Sequence, residues 1–139
     1  MSTAAPQYTT SSLRDVRVLV VEDDQDSREL LEELLKDVGM IVDSASSVAE
    51  AFDAIMVHRP DFIISDIGMP FENGYSFLNN LRQVLLEEGA TIPALALTGF
   101  VRPEDRARAF AAGFSAHLPK PVEVEHLLSA LAHLTSKRS

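Results

Sequence analysis

Apolar and polar positions along this chain follow two alternating patterns. Short continuous apolar runs, such as VRVLVV at 16–21 and DFIISD at 61–66, are typical of strands that are covered on both faces. Between these runs, apolar residues recur every three or four positions, which indicates amphipathic helices. Ser47 and Glu50 stand at capping-box spacing and begin a helix that we expect to run to about His58. The whole pattern predicts five strand–helix units.

Two of the predicted helices carry apolar stripes that identify the side facing the core. In the first helix the stripe consists of Leu30, Leu31, Leu34, Leu35 and Val38. In the last helix it consists of Val124, Leu127, Leu128, Leu131 and Leu134. We expect both stripes to be buried.

The regular alternation of strands and helices predicts an α/β fold with helices on both faces of a parallel sheet. Because crossovers are right-handed, five units favour a doubly wound, flavodoxin-like sheet of strand order 2-1-3-4-5. In that order the first and third strands are neighbours, and ligands bind beyond their carboxyl ends. The first strand is followed by Glu22, Asp23 and Asp24, and the third ends at Asp66. These acidic residues should therefore meet in one crevice.

Composition predicts a single domain with a tail at each end. Residues 1–14 are mostly Ser, Thr, Ala and Pro, which is typical of a flexible tail. The predicted domain spans 15–136, and residues 137–139 form a short second tail.

Charge and composition also exclude several classes of function. The net charge of -9 and the scattered basic residues argue against a direct nucleic-acid partner or an anionic membrane surface. The absence of cysteine excludes disulfides, thiolate metal sites and cysteine nucleophiles. No apolar run approaches transmembrane length, so we expect no membrane insertion, and the N-terminus lacks a secretory signal pattern. We therefore expect a cytoplasmic protein.

The residues expected at the carboxyl edge of the sheet have complementary chemistry. Clustered carboxylates repel one another unless a cation neutralises them, and a hard divalent ion such as Mg²⁺ is suited to oxygen ligands. The fourth strand ends at Thr98, a hydroxyl donor, and the fifth leads into Lys120, whose ammonium suits a phosphoryl oxygen. The combination predicts phosphoryl chemistry in which a carboxylate acts as nucleophile.

Four segments in this order and at these spacings, VLVVEDD, SDIGMPFENG, ALTG and LPKP, resemble the receiver domain of two-component response regulators. The resemblance covers about residues 15–136. It implies a phosphoacceptor switch in which Asp66 receives a phosphoryl group from a histidine kinase or a histidine phosphotransfer protein. It also implies that phosphorylation changes the surface recognised by a downstream protein target.

The resemblance assigns further roles residue by residue. It implies that Asp23 is a direct Mg²⁺ ligand, that Glu22 acts mainly through water and that Gly68 supplies a backbone carbonyl, with Asp66 completing the metal site. Mn²⁺ is expected to substitute for Mg²⁺. Thr98 and Lys120 match the residues that contact the phosphoryl group.

Two more features follow from the same resemblance. His117 occupies the aromatic switch position, where the family often has Tyr or Phe, so its polarity would depend on pH. The bond between Lys120 and Pro121 is often cis in this family.

The expected oligomeric state is either a monomer or a weak, phosphorylation-dependent homodimer. The chain is not expected to be an enzyme beyond catalysing its own phosphorylation and autodephosphorylation. It is either a stand-alone receiver or a receiver excised from a longer protein such as a hybrid histidine kinase.

Three alternatives belong to other functional classes. A phosphorylation-independent interaction module of the same fold is disfavoured by the intact acid–Thr–Lys set. An aspartyl-phosphate phosphatase or phosphotransferase resembling haloacid dehalogenases would need a second acid two residues after Asp66, where this chain has Gly68. A flavodoxin-like or nucleotide-binding protein would need a glycine-rich phosphate loop after the first strand, where this chain has the acidic EDDQDSR.

Overall fold

The protein, seen in a computed structural model, is described over residues 13–66, 92–98 and 114–136, together with positions 80, 83 and 107. The strands in these ranges are β1 (Arg17–Val21), β2 (Ile41–Ala45), β3 (Phe62–Asp66), β4 (Ala94–Thr98) and β5 (Ala116–Pro119). The helices within the same ranges are α1 (Gln25–Asp37), α2 (Val48–Val57) and α3 (Val124–Ser136). The helices predicted between β3 and β4 and between β4 and β5 fall outside the described residues, apart from Asn80, Gln83 and Ala107, which are helical. Most of the predicted N-terminal tail and all of the C-terminal tail also lie outside them.

The five strands form one parallel sheet in the order β2-β1-β3-β4-β5, as predicted. In the register between β1 and β3, Val21 pairs with Ser65. The residues that follow this pair, Glu22 and Asp66, therefore lie side by side at the carboxyl edge. Asp66 in turn pairs with Leu97 of β4.

Successive side chains of the central strands enter different hydrophobic clusters on the two faces of the sheet. Leu19 and Ile63 belong to the cluster that includes residues of α2. Val20 and Ile64 belong to the cluster that includes the leucines of α1 and α3. All five residues of β3 are buried, which explains why this strand has a continuous apolar run instead of an alternating pattern.

The N-terminal boundary of the packed domain differs from the prediction. Leu13, which the sequence places in the flexible tail, is fully buried in the cluster with α1 and α3. The turn that follows it is held by a 2.9 Å hydrogen bond from the backbone N–H of Asp15 to the carbonyl of Gly39. Both residues of this bond have left-handed backbone angles, with φ of 64° at Asp15 and 92° at Gly39.

The apolar stripe of α3 is mostly confirmed, whereas that of α1 is confirmed only in part, since Leu34 and Val38 are half-buried. The predicted residues that are buried are Leu31, Leu35, Leu127, Leu128, Leu131 and Leu134. Leu30 is 57% exposed, because each helical residue turns by about 100° from its neighbour and only the line through Leu31 and Leu35 faces the sheet. Val124 is 39% exposed, since it begins α3 one turn before the first buried leucine.

The helices begin at polar caps. The side chain of Asp24 accepts a hydrogen bond from the backbone N–H of Ser27 at the start of α1. Ser47 accepts one from the N–H of Glu50 at the start of α2, which confirms the predicted cap. The carboxylate of Glu50 bonds back to the N–H of Ser46, one residue earlier than a standard capping box requires. Among the described helices, none has the length and apolar character needed to cross a membrane.

Candidate functional site

The carboxyl edge of the sheet brings together an ammonium group and three carboxylates. Nζ of Lys120, which follows β5, lies 2.8 Å from Oε1 of Glu22 and 3.1 Å from Oδ2 of Asp66. Carboxylate oxygens of Glu22, Asp23 and Asp66 all lie within 4.8 Å of one another. The structure thus brings together four of the residues singled out in the sequence.

Burial controls the electrostatics of this cluster. Glu22 is only 1% exposed and Asp66 only 7% exposed, whereas Asp23 faces solvent. Desolvation raises the pKa of Glu22 from 4.5 to about 7; the hydrogen bond from Lys120 opposes this shift and the proximity of Asp66 reinforces it. Glu22 therefore exchanges its proton near neutral pH.

Lys120 responds to the same surroundings in the opposite sense. Its partial burial acts to lower the pKa of the ammonium, but the hydrogen bonds to Glu22 and Asp66 and their charges outweigh burial and raise it. Lys120 consequently remains protonated and serves as a fixed positive charge between two buried carboxyl groups.

The donor set fits a hard divalent cation. All three acidic residues offer oxygen ligands, and two buried carboxylates with a third at the surface leave an accessible side for water or a phosphoryl oxygen. The cluster is therefore compatible with a divalent metal ion bound by Glu22, Asp23 and Asp66.

The backbone of the β1–α1 loop is held by contacts that the sequence did not reveal. Nη1 of Arg28 donates a 2.9 Å hydrogen bond to the carbonyl oxygen of Glu22. The N–H of Glu22 donates to the carbonyl of Ala45 at 3.0 Å, and the N–H of Asp24 lies 3.4 Å from Oε2 of Glu22. The only sequence signal for Arg28 is a basic residue one turn into a helix that follows an acidic loop.

Other predicted site residues are described only in part. Thr98 ends β4, where its backbone pairs with Pro119. The structure describes only the backbone of this residue. His117 lies on β5 beside Ala96 and is half-buried. Gly68 lies outside the described residues.

The loop after Lys120 adds two features next to the cluster. The Lys120–Pro121 peptide bond is cis, as the resemblance implied. A cavity of about 410 Å³ adjoins the site and is lined on one side by α1 and on the other by the loop after β5. Its lining residues include Leu30, Leu34 and Val122.

Comparison with known proteins agrees with this geometry. The family model described as the response regulator receiver domain matches residues 18–132. Among solved structures, the Vibrio cholerae chemotaxis protein CheY4 superposes with a TM-score of 0.79 and 32% sequence identity, covering 86% of this chain and 98% of that one. The flavodoxin-like receiver fold predicted from the sequence is thereby confirmed.

Curated relatives include proteins of different lengths. An uncharacterized 14.6 kDa protein of Leptolyngbya boryana is 38% identical over 84% of this chain and 88% of its own length. The response regulator MprA of Mycobacterium sp. (strain KMS) is 36% identical over 89% of this chain, which spans 52% of that protein. The sensor histidine kinase RcsC of Salmonella typhi is 30% identical over 95% of this chain, which spans 14% of the kinase. The chain belongs to the response regulator receiver domain family, the phosphoacceptor signalling modules of two-component systems.

Proposed function

We propose that Asp66 is the phosphoacceptor and that it receives a phosphoryl group from the phosphohistidine of a histidine kinase or a histidine phosphotransfer protein. The observation that carries this assignment is the position of Lys120, whose ammonium contacts both Asp66 and Glu22. A fixed cation beside a buried carboxylate is suited to the charge of an incoming phosphoryl group.

In the proposed reaction, a carboxylate oxygen of Asp66 attacks phosphorus while the N–P bond of the phosphohistidine breaks. The imidazole nitrogen keeps the electron pair of that bond, and the product is an aspartyl phosphate. Lys120 stabilises the negative charge on the phosphoryl oxygens throughout. Mg²⁺, or Mn²⁺ in its place, would be held by Glu22, Asp23, Asp66 and the backbone carbonyl of Gly68, and when bound would neutralise phosphoryl charge.

The proposed switch uses residues on the neighbouring strands. Thr98 ends β4 next to Asp66, so its hydroxyl is the proposed hydrogen-bond donor to the phosphoryl group. His117 lies on the adjacent β5 and is proposed to change its position when Thr98 does. The added charge would thus be read out on the surface around β5 and α3.

The proposed partners follow from the same chemistry. A histidine kinase or histidine phosphotransfer protein supplies the phosphoryl group in the cytoplasm, and a downstream protein recognises the phosphorylated surface. Similarity to part of the kinase RcsC supports a place in such a relay. The chain acts as a monomer or a weak phosphorylation-dependent homodimer, without direct contact to nucleic acid, and its catalysis is limited to its own phosphorylation and autodephosphorylation.

The decisive experiment uses acetyl phosphate as a small phosphodonor, with and without Mg²⁺, and measures the intact mass of the protein. We expect one phosphoryl adduct that requires Mg²⁺ and is absent from Asp66→Asn. Asp61→Asn is a matched control, because Asp61 lies just before β3, at the far end of the strand, and its loss should leave the adduct intact. No adduct on the wild type, even with beryllofluoride as a mimic, would shift the function to a phosphorylation-independent interaction module.

A further inference from the structure

Arg28 contacts the backbone at the point where two of the three clustered carboxylates are attached. Its guanidinium group donates to the carbonyl oxygen of Glu22 at 2.9 Å. This carbonyl belongs to the peptide unit that joins Glu22 to Asp23. Because a peptide unit is planar, a donor that fixes its carbonyl also fixes the direction in which the chain leaves it. The hydrogen bond therefore holds the peptide unit from which the chain continues to Asp23.

The other side of Glu22 is already fixed by the sheet. Its N–H donates to the carbonyl of Ala45, at the end of the neighbouring strand β2. After Asp23 the chain enters α1, where Asp24 accepts the capping hydrogen bond. Asp23 is thus an exposed residue between two anchored positions, and Arg28 supplies the anchor on the strand side.

The charge of Arg28 acts on the same edge of the sheet. The pKa of Asp24 is lowered mainly by hydrogen bonds from Ser27, and the positive charge of Arg28 makes a smaller contribution in the same direction. The pKa of Glu50, at the start of α2, is lowered mainly by hydrogen bonds from Ser46, and Arg28 again contributes less. The guanidinium group is therefore near enough to both carboxylates for its charge to act on them. A cation here opposes the binding of a second cation, so any support that Arg28 gives to metal binding must come from geometry.

We propose that Arg28 is a positioning residue for the divalent cation: by holding the carbonyl of Glu22, it keeps the carboxylate of Asp23 directed towards Asp66. This inference rests on the proposed function, since it concerns the same metal site. Hydrogen bonds that orient metal ligands from outside the ligand set commonly change metal affinity by about 10- to 100-fold.

Calorimetric titration of the full chain with Mg²⁺ alone tests this role. We expect Arg28→Met to weaken Mg²⁺ binding by about tenfold or more, as is usual when an outer hydrogen bond is lost. Arg28→Gln, whose shorter side chain also lacks the charge, should weaken binding similarly and replaces the Met variant if that protein does not fold. Arg28→Lys keeps the charge and a donor, so it should recover most of the affinity.

Arg17→Met is the matched control, because Arg17 is also a half-buried arginine and its ion pair with Asp43 lies at the opposite end of β1. It should lose stability without losing Mg²⁺ affinity. Wild-type or tighter binding in Arg28→Met or Arg28→Gln would overturn the proposal, and tighter binding would show that charge alone acts. Equal weakening in Arg17→Met would also overturn it. If the wild type itself binds no Mg²⁺, the proposed function fails, a result distinct from failure of the Arg28 assignment.

Discussion

Nζ of Lys120 lies 2.8 Å from Oε1 of Glu22, although 98 positions separate the two residues in the sequence. The same nitrogen contacts Asp66, so a single ammonium joins the loops that follow β1 and β5 to the end of β3. This arrangement compensates two buried carboxyl groups at once, at the place where we propose that phosphate is received.

Replacement of Lys120 should separate phosphorylation from metal binding. We expect Lys120→Met to slow phosphorylation by acetyl phosphate by about a hundredfold, the usual cost of losing a donor to developing negative charge. Affinity for Mg²⁺ should not fall, because the carboxylate cluster becomes more negative. Time-resolved intact mass and calorimetric titration measure the two effects. The exposed Lys36, replaced by Met, is the control, and loss of Mg²⁺ binding in Lys120→Met would contradict this assignment.

The raised pKa of Glu22 predicts an unusual dependence of stability on pH. Native Glu22 keeps its proton up to about pH 7, whereas in the unfolded chain it ionises near 4.5. The native state therefore binds more protons between these values, and the free energy of unfolding without metal falls as pH rises through this window. Glu22→Gln should remove that contribution and, above pH 7, be more stable than the wild type by on the order of 1 kcal/mol.

Urea unfolding in the presence of a metal chelator, at pH 5 and at pH 8, measures this effect. The advantage of Glu22→Gln should be present at pH 8 and largely absent at pH 5. Glu33→Gln, on the exposed side of α1, should show no such difference between the two pH values. A Glu22→Gln protein that is less stable than the wild type at pH 8 would contradict the prediction.

The cap of α2 provides a test that is independent of the site. Ser47→Ala removes the acceptor for the N–H of Glu50 and should lower the free energy of unfolding by about 1 kcal/mol. Ser129→Ala is the matched control, because Ser129 is exposed within α3, where alanine is the better helix former, and the change should be neutral or slightly stabilising. Chemical denaturation of both variants gives the comparison, and equal effects would rule out a capping role.

Two leucines whose burial the sequence predicts wrongly, Leu13 and Leu30, allow a paired test of the packing. Leu13→Ala should lower the free energy of unfolding by about 2–5 kcal/mol, because Leu13 is fully buried. Leu30→Ala should cost less than about 0.5 kcal/mol, since more than half of Leu30 is exposed. Urea unfolding measures both variants, and a larger effect at Leu30 than at Leu13 would contradict the observed packing.

The sequence predicts most of the scaffold because a strand that is buried on both faces has a continuous apolar run, such as the one at 61–66. Local chemistry also predicts the caps, since Ser47 and Glu50 interact within one helical turn. Leu13 escapes prediction because one apolar residue among Ser and Thr has no periodicity, and its burial depends on helices distant in the chain.

The contacts of the site likewise include some that the sequence predicts and some that it does not. Strand order is sufficient to predict that Glu22, Asp66 and Lys120 meet, because each follows or ends a strand at one edge of the sheet. It does not predict that Lys120 contacts Glu22 more closely than Asp66, which depends on side-chain direction. Nor does it predict the contact between Arg28 and a backbone carbonyl, since any exposed residue of α1 could have been basic.

The distance in sequence between Glu22 and Lys120 has a kinetic consequence. Contacts between distant residues form late, because a long loop must close before they contribute any free energy. A nascent or partly folded chain in which β5 has not yet joined the sheet would present Asp66 without its ammonium partner. The proposed phosphorylation of Asp66 would then reach its full rate only after β5 has joined the sheet, so incompletely folded molecules would respond weakly.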